Sequence, residues 1–259
     1  MRSGNRRAYI LVIPSLFTTG NLFCGYYAII HSFSHQFEKA AYAIFLAGIF
    51  DVLDGRVARI TRSTSQFGVE YDSIADVVSF GVAPAVFAYM WALEPMGRLG
   101  WASSFFFAAC GALRLARFNT IAAELPKAYF LGLPIPAAAI TLISAYLTLH
   151  DIDRPFLPYF VLSLAVLLGL LMVSNIRYRS FKDLDLRHPR SFFLLVGMLV
   201  LITAIAMKLE LAFFVLGYYV FGGAIRDVFL FLKNPKQHRE KWLTPHLVTT
   251  EDTKEISGR

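Results

Sequence analysis

The sequence predicts an all-α fold, a polytopic bundle of about eight membrane-spanning helices. Three observations carry that expectation. Apolar residues come in runs of bilayer-spanning length, short polar connections separate the runs, and the positive charges favour alternate connections. The 259 residues are 56% hydrophobic and 17% charged, with a mean hydropathy of +0.54. A soluble domain of this length carries about a quarter charged residues.

Eight candidate spans follow one another at about residues 10–32, 38–60, 66–92, 99–123, 134–150, 156–175, 191–207 and 210–232. The first opens after Arg6-Arg7 and could pass for a signal peptide. It has no small-residue cleavage site, and Thr18-Thr19-Gly20-Asn21 interrupts its apolar run, so it reads as a retained span. The second and third carry Asp51, Asp54, Asp72 and Asp76. Trp91 and Trp101 flank the turn between the third and fourth, where an aromatic belt belongs. Spans five to eight hold no comparable acidic pair in their apolar interiors. Residues 1–232 read as one transmembrane domain, and residues 233–259 as a polar tail. Its Lys236, Arg239 and Lys241 are placed to rest against anionic headgroups. No internal repeat or low-complexity stretch marks a second domain.

Lys39, Arg98, Arg154 and Lys208 fall in the odd-numbered connections. The rest of the 25 Lys and Arg lie at the N-terminus, the even-numbered connections, the adjoining helix ends and the tail. The positive-inside rule then puts both termini and the aspartates on the cytoplasmic side. The net charge of +7 is thereby topological, and nucleic-acid binding is not expected. Cys24 and Cys110 sit in apolar runs without a CxxC partner and read as buried free thiols.

The chemistry is concentrated in the aspartates. A carboxylate at a transmembrane helix centre costs about 2.5–3.5 kcal/mol on insertion scales, so four need compensating charge. Asp51 and Asp54 are spaced i,i+3, and Asp72 and Asp76 i,i+4, so each pair shares a face of its own helix. Two such helices side by side build an oxygen-only cage suited to a hard divalent cation. Gly55, Ala58 and Gly68 recur at helical spacing beside the aspartates and let a helix or a large polar ligand approach closely. Arg56, Arg59 and Arg62 add positive charge. Metal ions with neighbouring arginines suit phosphate, and a carboxylate with spare capacity can serve as a base toward an attacking hydroxyl.

The pattern Asp51-x2-Asp54-Gly55-x2-Ala58-Arg59-x8-Gly68-x3-Asp72-x3-Asp76 resembles the signature of the CDP-alcohol phosphotransferase family at every position. Those enzymes displace CMP from a CDP-linked lipid or alcohol with a hydroxyl acceptor and a divalent metal. The resemblance implies that Asp51, Asp54 and Asp72 coordinate Mg²⁺ or Mn²⁺, two ions in all, and that Asp76 completes the cage and takes the acceptor proton. It implies that Gly55, Ala58 and Gly68 line the cytidine pocket with Arg59 nearby. Thr18–Gly25, Tyr71–Pro84, Gly111–Asn119 and Gly132–Pro136 are similar to the membrane-embedded phosphatidylserine synthases of that family. On that resemblance the donor is CDP-diacylglycerol and the acceptor L-serine. A homodimer in a cell inner or plasma membrane is implied, with a six-helix core plus two further helices.

Several residues keep two readings. Arg114 and Arg117 either snorkel at the cytoplasmic end of a span or bind phosphate or the acceptor carboxylate. Thr18 and Asn21 either contact the nucleotide or hydrogen-bond across helices. Pro84, Pro134 and Pro136 either widen a cavity or are tolerated kinks. His31, His35 and His150 fall on the far side of the membrane in this topology. A divalent-cation transporter would need acidic groups further across the bilayer, and a purely structural protein leaves the cost of the aspartates unexplained. A phospholipase-D type HxKxxxxD mechanism is excluded, because none of the six histidines is followed two residues later by Lys.

Overall fold

The computed structural model describes residues 3–60, 65–121, 129–149 and 155–179. The seventh and eighth expected spans and the polar tail lie outside the described residues. Six helices occupy the first six expected spans: α1 (Ser3–Phe33), α2 (Phe37–Ile60), α3 (Gln66–Met96), α4 (Arg98–Ile121), α5 (Ile135–Leu149) and α6 (Leu157–Val173). Two of them, Gln66–Met96 and Arg98–Thr120, are long and apolar enough on their own to cross a membrane. Besides these helices and their short connections, the described residues hold two three-residue strands, β1 (Tyr129–Leu131) and β2 (Arg177–Arg179).

Helix α1 packs along α2 and crosses α3, while α4 lies along α6. Small side chains allow these approaches. Ala40, Ala41, Ala43 and Ala47 form the buried face of α2, with Ile44 among them. The outward faces are apolar as well: Leu16, Phe23, Tyr26, Phe33, Ile49, Ile74, Phe105 and Leu113 are all exposed. An apolar shell around an interior containing Thr141, Ser144 and Ser104 is the arrangement a helix bundle takes when lipid is its solvent. Ser104 Oγ donates to the Ala85 carbonyl, so its hydroxyl is satisfied within the bundle.

Helix α3 is not uniform. It widens to i→i+5 turns at Val77–Val82 and Tyr89–Leu93. In the first, the Ala83 N–H bonds to the Val78 carbonyl; in the second, the Glu94 N–H bonds to the Tyr89 carbonyl. Each wide turn leads into a proline, Pro84 or Pro95. A proline ring has no N–H and crowds the carbonyl four residues back, and an extra residue in the preceding turn relieves that conflict. Pro84 is thus accommodated within the continuous helix. Pro134 and Pro136 flank the first residue of α5, where a missing N–H costs nothing.

The end of the bundle away from the aspartates is closed by aromatic rings. Phe87 meets Phe37, Tyr146 and Trp91 at centroid distances of 5.5, 5.2 and 6.2 Å. At a rise of about 1.5 Å per residue, this cluster lies roughly 20 Å along α2 and α3 from the carboxylates. Trp101 stands exposed on α4 at the same end, while Trp91 packs into the aromatic cluster.

The β1–β2 pair was not foreseen. It is antiparallel, with Phe130 opposite Tyr178, and joins the α4–α5 connection to the segment after α6. Gly132 follows with φ +74°, donates to the Ile176 carbonyl at 2.9 Å, and has Met172 O only 2.1 Å from where a Cβ would stand. Only glycine fits that turn.

Candidate active site

Three helices build the site. Asp51 and Asp54 stand on the last turns of α2, and Asp72 and Asp76 on the first turns of α3. Ser65 caps α3, its Oγ accepting from the Gly68 N–H at 3.0 Å, which fixes where the helix begins and hence where Asp72 points. Asp51, Asp72 and Asp76 each bring one carboxylate oxygen to within 4.8 Å of the other two. At an effective dielectric of about 20, each ionised pair at that range repels by on the order of 3 kcal/mol. The three together therefore call for a cation, and hard oxygen donors at this spacing fit a divalent ion.

Asp54 stands outside that trio. It is buried, at 4% exposure, and its Oδ2 accepts a 3.0 Å hydrogen bond from Thr18 Oγ1 on α1. Asp76 is buried as well, and its Oδ1 accepts from Asn21 Nδ2, also at 3.0 Å. Thr18 and Asn21 are three residues apart on one face of α1, so a single helix serves one carboxylate from α2 and one from α3. Of the two readings left open for them, the structure brings out the cross-helix hydrogen bonds.

Further contacts tie α1 and α4 to α3. Ser79 Oγ donates to the Asn21 carbonyl at 2.9 Å, and the Thr19 and Tyr71 hydroxyls lie 3.0 Å apart. Asn119 Nδ2 donates to Ser73 Oγ at 2.9 Å, bracing α4 against α3 beside Asp72. Thr19 was noted only as part of the polar break in the first span, and composition and spacing singled out none of Ser73, Ser79 or Asn119. The only signal for those three was membership of the quoted stretches Tyr71–Pro84 and Gly111–Asn119.

The two arginines of α4 separate. Arg117 donates through one guanidinium nitrogen to the Val173 carbonyl at 3.2 Å and through the other to Asn175 Oδ1, capping the end of α6. Arg114 is buried, its guanidinium carbon 5.5 Å from the centre of the Phe118 ring. A Cβ on Gly111 would lie 3.8 Å from Gly81, and Asn119 meets Ser73, so Arg114 falls within the interval of α3 that holds Asp76. Gly55 is exposed, with open space where a Cβ would go, while Gly68 is half-buried beside its cap. The side chains of Ala58 and Arg59 lie outside the described residues.

Residues 11–174 match the model of the CDP-alcohol phosphatidyltransferase family. The chain belongs to that family. All four aspartates, Thr18, Asn21 and both α4 arginines lie within the matched segment of this CDP-alcohol phosphatidyltransferase family member. The chain is similar to a protein of Helicobacter pylori named CDP-diacylglycerol–serine O-phosphatidyltransferase, 41% identical over 227 residues, which cover 86% of this chain and 94% of that protein. Proteins of the same name from Methanocaldococcus jannaschii and Bacillus subtilis are 42% and 37% identical. The first alignment covers 67% of this chain and 77% of the relative, the second 66% and 91%.

Proposed function

We propose that this chain transfers the phosphatidyl group of CDP-diacylglycerol to the hydroxyl of L-serine, giving phosphatidylserine and CMP. The observation that carries the reading is the convergence of Asp51, Asp72 and Asp76 within 4.8 Å on two helices of a CDP-alcohol phosphatidyltransferase family member. The serine acceptor rests on the names of the relatives and on the similarity along the first five spans.

Asp51, Asp54, Asp72 and Asp76 are the residues that would hold divalent ions, Mg²⁺ or Mn²⁺. Bound there, such ions neutralise the phosphoryl oxygens of the donor. Asp76 accepts the proton of the serine hydroxyl as the new oxygen–phosphorus bond forms at the lipid-side phosphorus. The bond from that phosphorus to the bridging oxygen breaks, and the electron pair leaves with CMP. Gly55, Ala58, Arg59 and Gly68 receive the cytidine end of the donor; the open surface over Gly55 suits a ligand lying against backbone. Arg114, buried on the stretch of α4 that faces Asp76, takes a phosphate or the serine carboxylate. Arg117 is committed to the end of α6, where it holds α4 and α6 together and takes no direct part in acceptor binding.

The same reading places the aspartate end at the cytoplasmic face of a cell inner or plasma membrane, in a homodimer of eight-helix subunits. Lipid tails enter sideways from the bilayer. The test is to offer purified protein CDP-diacylglycerol with serine, glycerol phosphate, inositol or ethanolamine and to measure CMP release. Serine-dependent release supports the reading, and release driven by another alcohol alone removes the serine assignment.

A further inference from the structure

We infer that Asn21 is a positioning residue for the phosphotransfer step, acting through Asp76 and not through the nucleotide. The inference rests on the proposed role of Asp76 as base. An ionised carboxylate only accepts hydrogen bonds, so the amide NH₂ of Asn21 must face Asp76 and its carbonyl oxygen must face away. One carboxylate oxygen of Asp76, Oδ1, is thereby fastened to α1, which sets the plane of the group and the direction in which its other oxygen is presented.

A second observation separates this role from ordinary glue between helices. Asn21 is fully buried, at 0% exposure, yet among the described residues its Oδ1 has no hydrogen-bond partner. A side chain kept for stability alone is expected to satisfy both ends of its amide, since a buried unpaired acceptor is costly. Here the amide is turned for Asp76 at the expense of its own oxygen. The backbone around it is fixed independently: Ser79 Oγ donates to the Asn21 carbonyl, and the Cβ that Gly25 lacks would collide with Ser79. The donor therefore stands on a helix locked to the one that carries Asp76.

The experiment is a double-mutant cycle. CMP release is measured under enzyme excess, where slow single turnovers are resolved, for the wild type, Asn21→Leu, Asp76→Asn and the double variant, using whichever alcohol supports turnover. Asn21→Leu is expected to lower kcat roughly 10- to 100-fold, the scale of losing one hydrogen bond to a charged group. The KM for CDP-diacylglycerol should stay within about twofold, and in the Asp76→Asn background the same change should cost less than about threefold. Asn21→Ser, which keeps a short donor, is expected to recover part of the rate and stands in if the leucine variant does not fold. An equal loss in both backgrounds, or a loss confined to the KM of the donor, overturns the inference. A wild type that turns over with an alcohol other than serine refutes the acceptor assignment and leaves the cycle interpretable.

Discussion

Gly25 of α1 lies so close to Ser79 of α3 that a Cβ on it would sit 2.7 Å from the Ser79 Cα and 2.4 Å from its Oγ. One turn earlier on α1, Asn21 reaches Asp76, and one turn before that Thr18 reaches Asp54. The crossing at Gly25 sets the separation across which those hydrogen bonds are made. The first wide turn of α3 begins directly after Asp76 and contains Ser79, so the irregular helix and the close crossing share one level of the bundle.

Gly25→Ala therefore pushes α1 off α3. The expected cost is about 1–3 kcal/mol of stability, the usual scale for overpacking. CMP release should fall as well, because Asn21 is drawn away from Asp76. Thermal unfolding in detergent and a turnover assay on the same preparation check both effects. Wild-type stability and turnover together would show that the crossing has slack.

Asp51→Asn and Asp72→Asn each remove a charged oxygen from the 4.8 Å trio. Both variants are expected to lose Mn²⁺ binding, read by titration calorimetry on detergent-solubilised protein, and to fall below measurable turnover. Chelation should silence the wild type, and added Mg²⁺ or Mn²⁺ should restore it. Full activity after stripping divalent ions would refute metal assistance.

Thr18→Val keeps the shape of the side chain and removes the donor to buried Asp54. Losing a hydrogen bond to a charged group is worth about 1.5–3 kcal/mol, so kcat/KM for CDP-diacylglycerol should drop roughly tenfold to a hundredfold. Thr18→Ser, which retains the hydroxyl, should stay near wild type. Equal losses for Val and Ser would point to packing as the cause.

The two α4 arginines should respond differently to lysine. Arg117→Lys loses the two-point hold on Val173 and Asn175, so the melting temperature should fall while the serine KM changes little. Arg114→Lys should raise the serine KM with a smaller change for the lipid donor. Kinetics and melting curves on both variants decide the assignment, and the reverse pattern would exchange the two roles.

The first six helices were legible in the sequence because their apolar runs are long and their breaks are marked by Gly, Pro and charge. The aspartate pairs were legible for a related reason: i,i+3 and i,i+4 spacing puts carboxylates on one face whatever the tertiary packing. What spacing could not supply was contact between helices far apart in sequence. Thr18 and Asn21 stood out as polar residues in an apolar run, but their partners Asp54 and Asp76 follow from the crossing of α1 over α2 and α3. Arg114 and Arg117 look alike as neighbours on one helix face, and only the proximity of α6 separates them. The β1–β2 pair was hidden because three residues per strand carry too little alternation to read.

The decisive measurement is CMP release from CDP-diacylglycerol by purified wild-type protein, with serine and a divalent ion each supplied or withheld. Release is expected only when both are present, with phosphatidylserine formed in equal amount to CMP. Release that continues without divalent ions, or that needs glycerol phosphate or inositol in place of serine, would contradict metal-assisted transfer to serine.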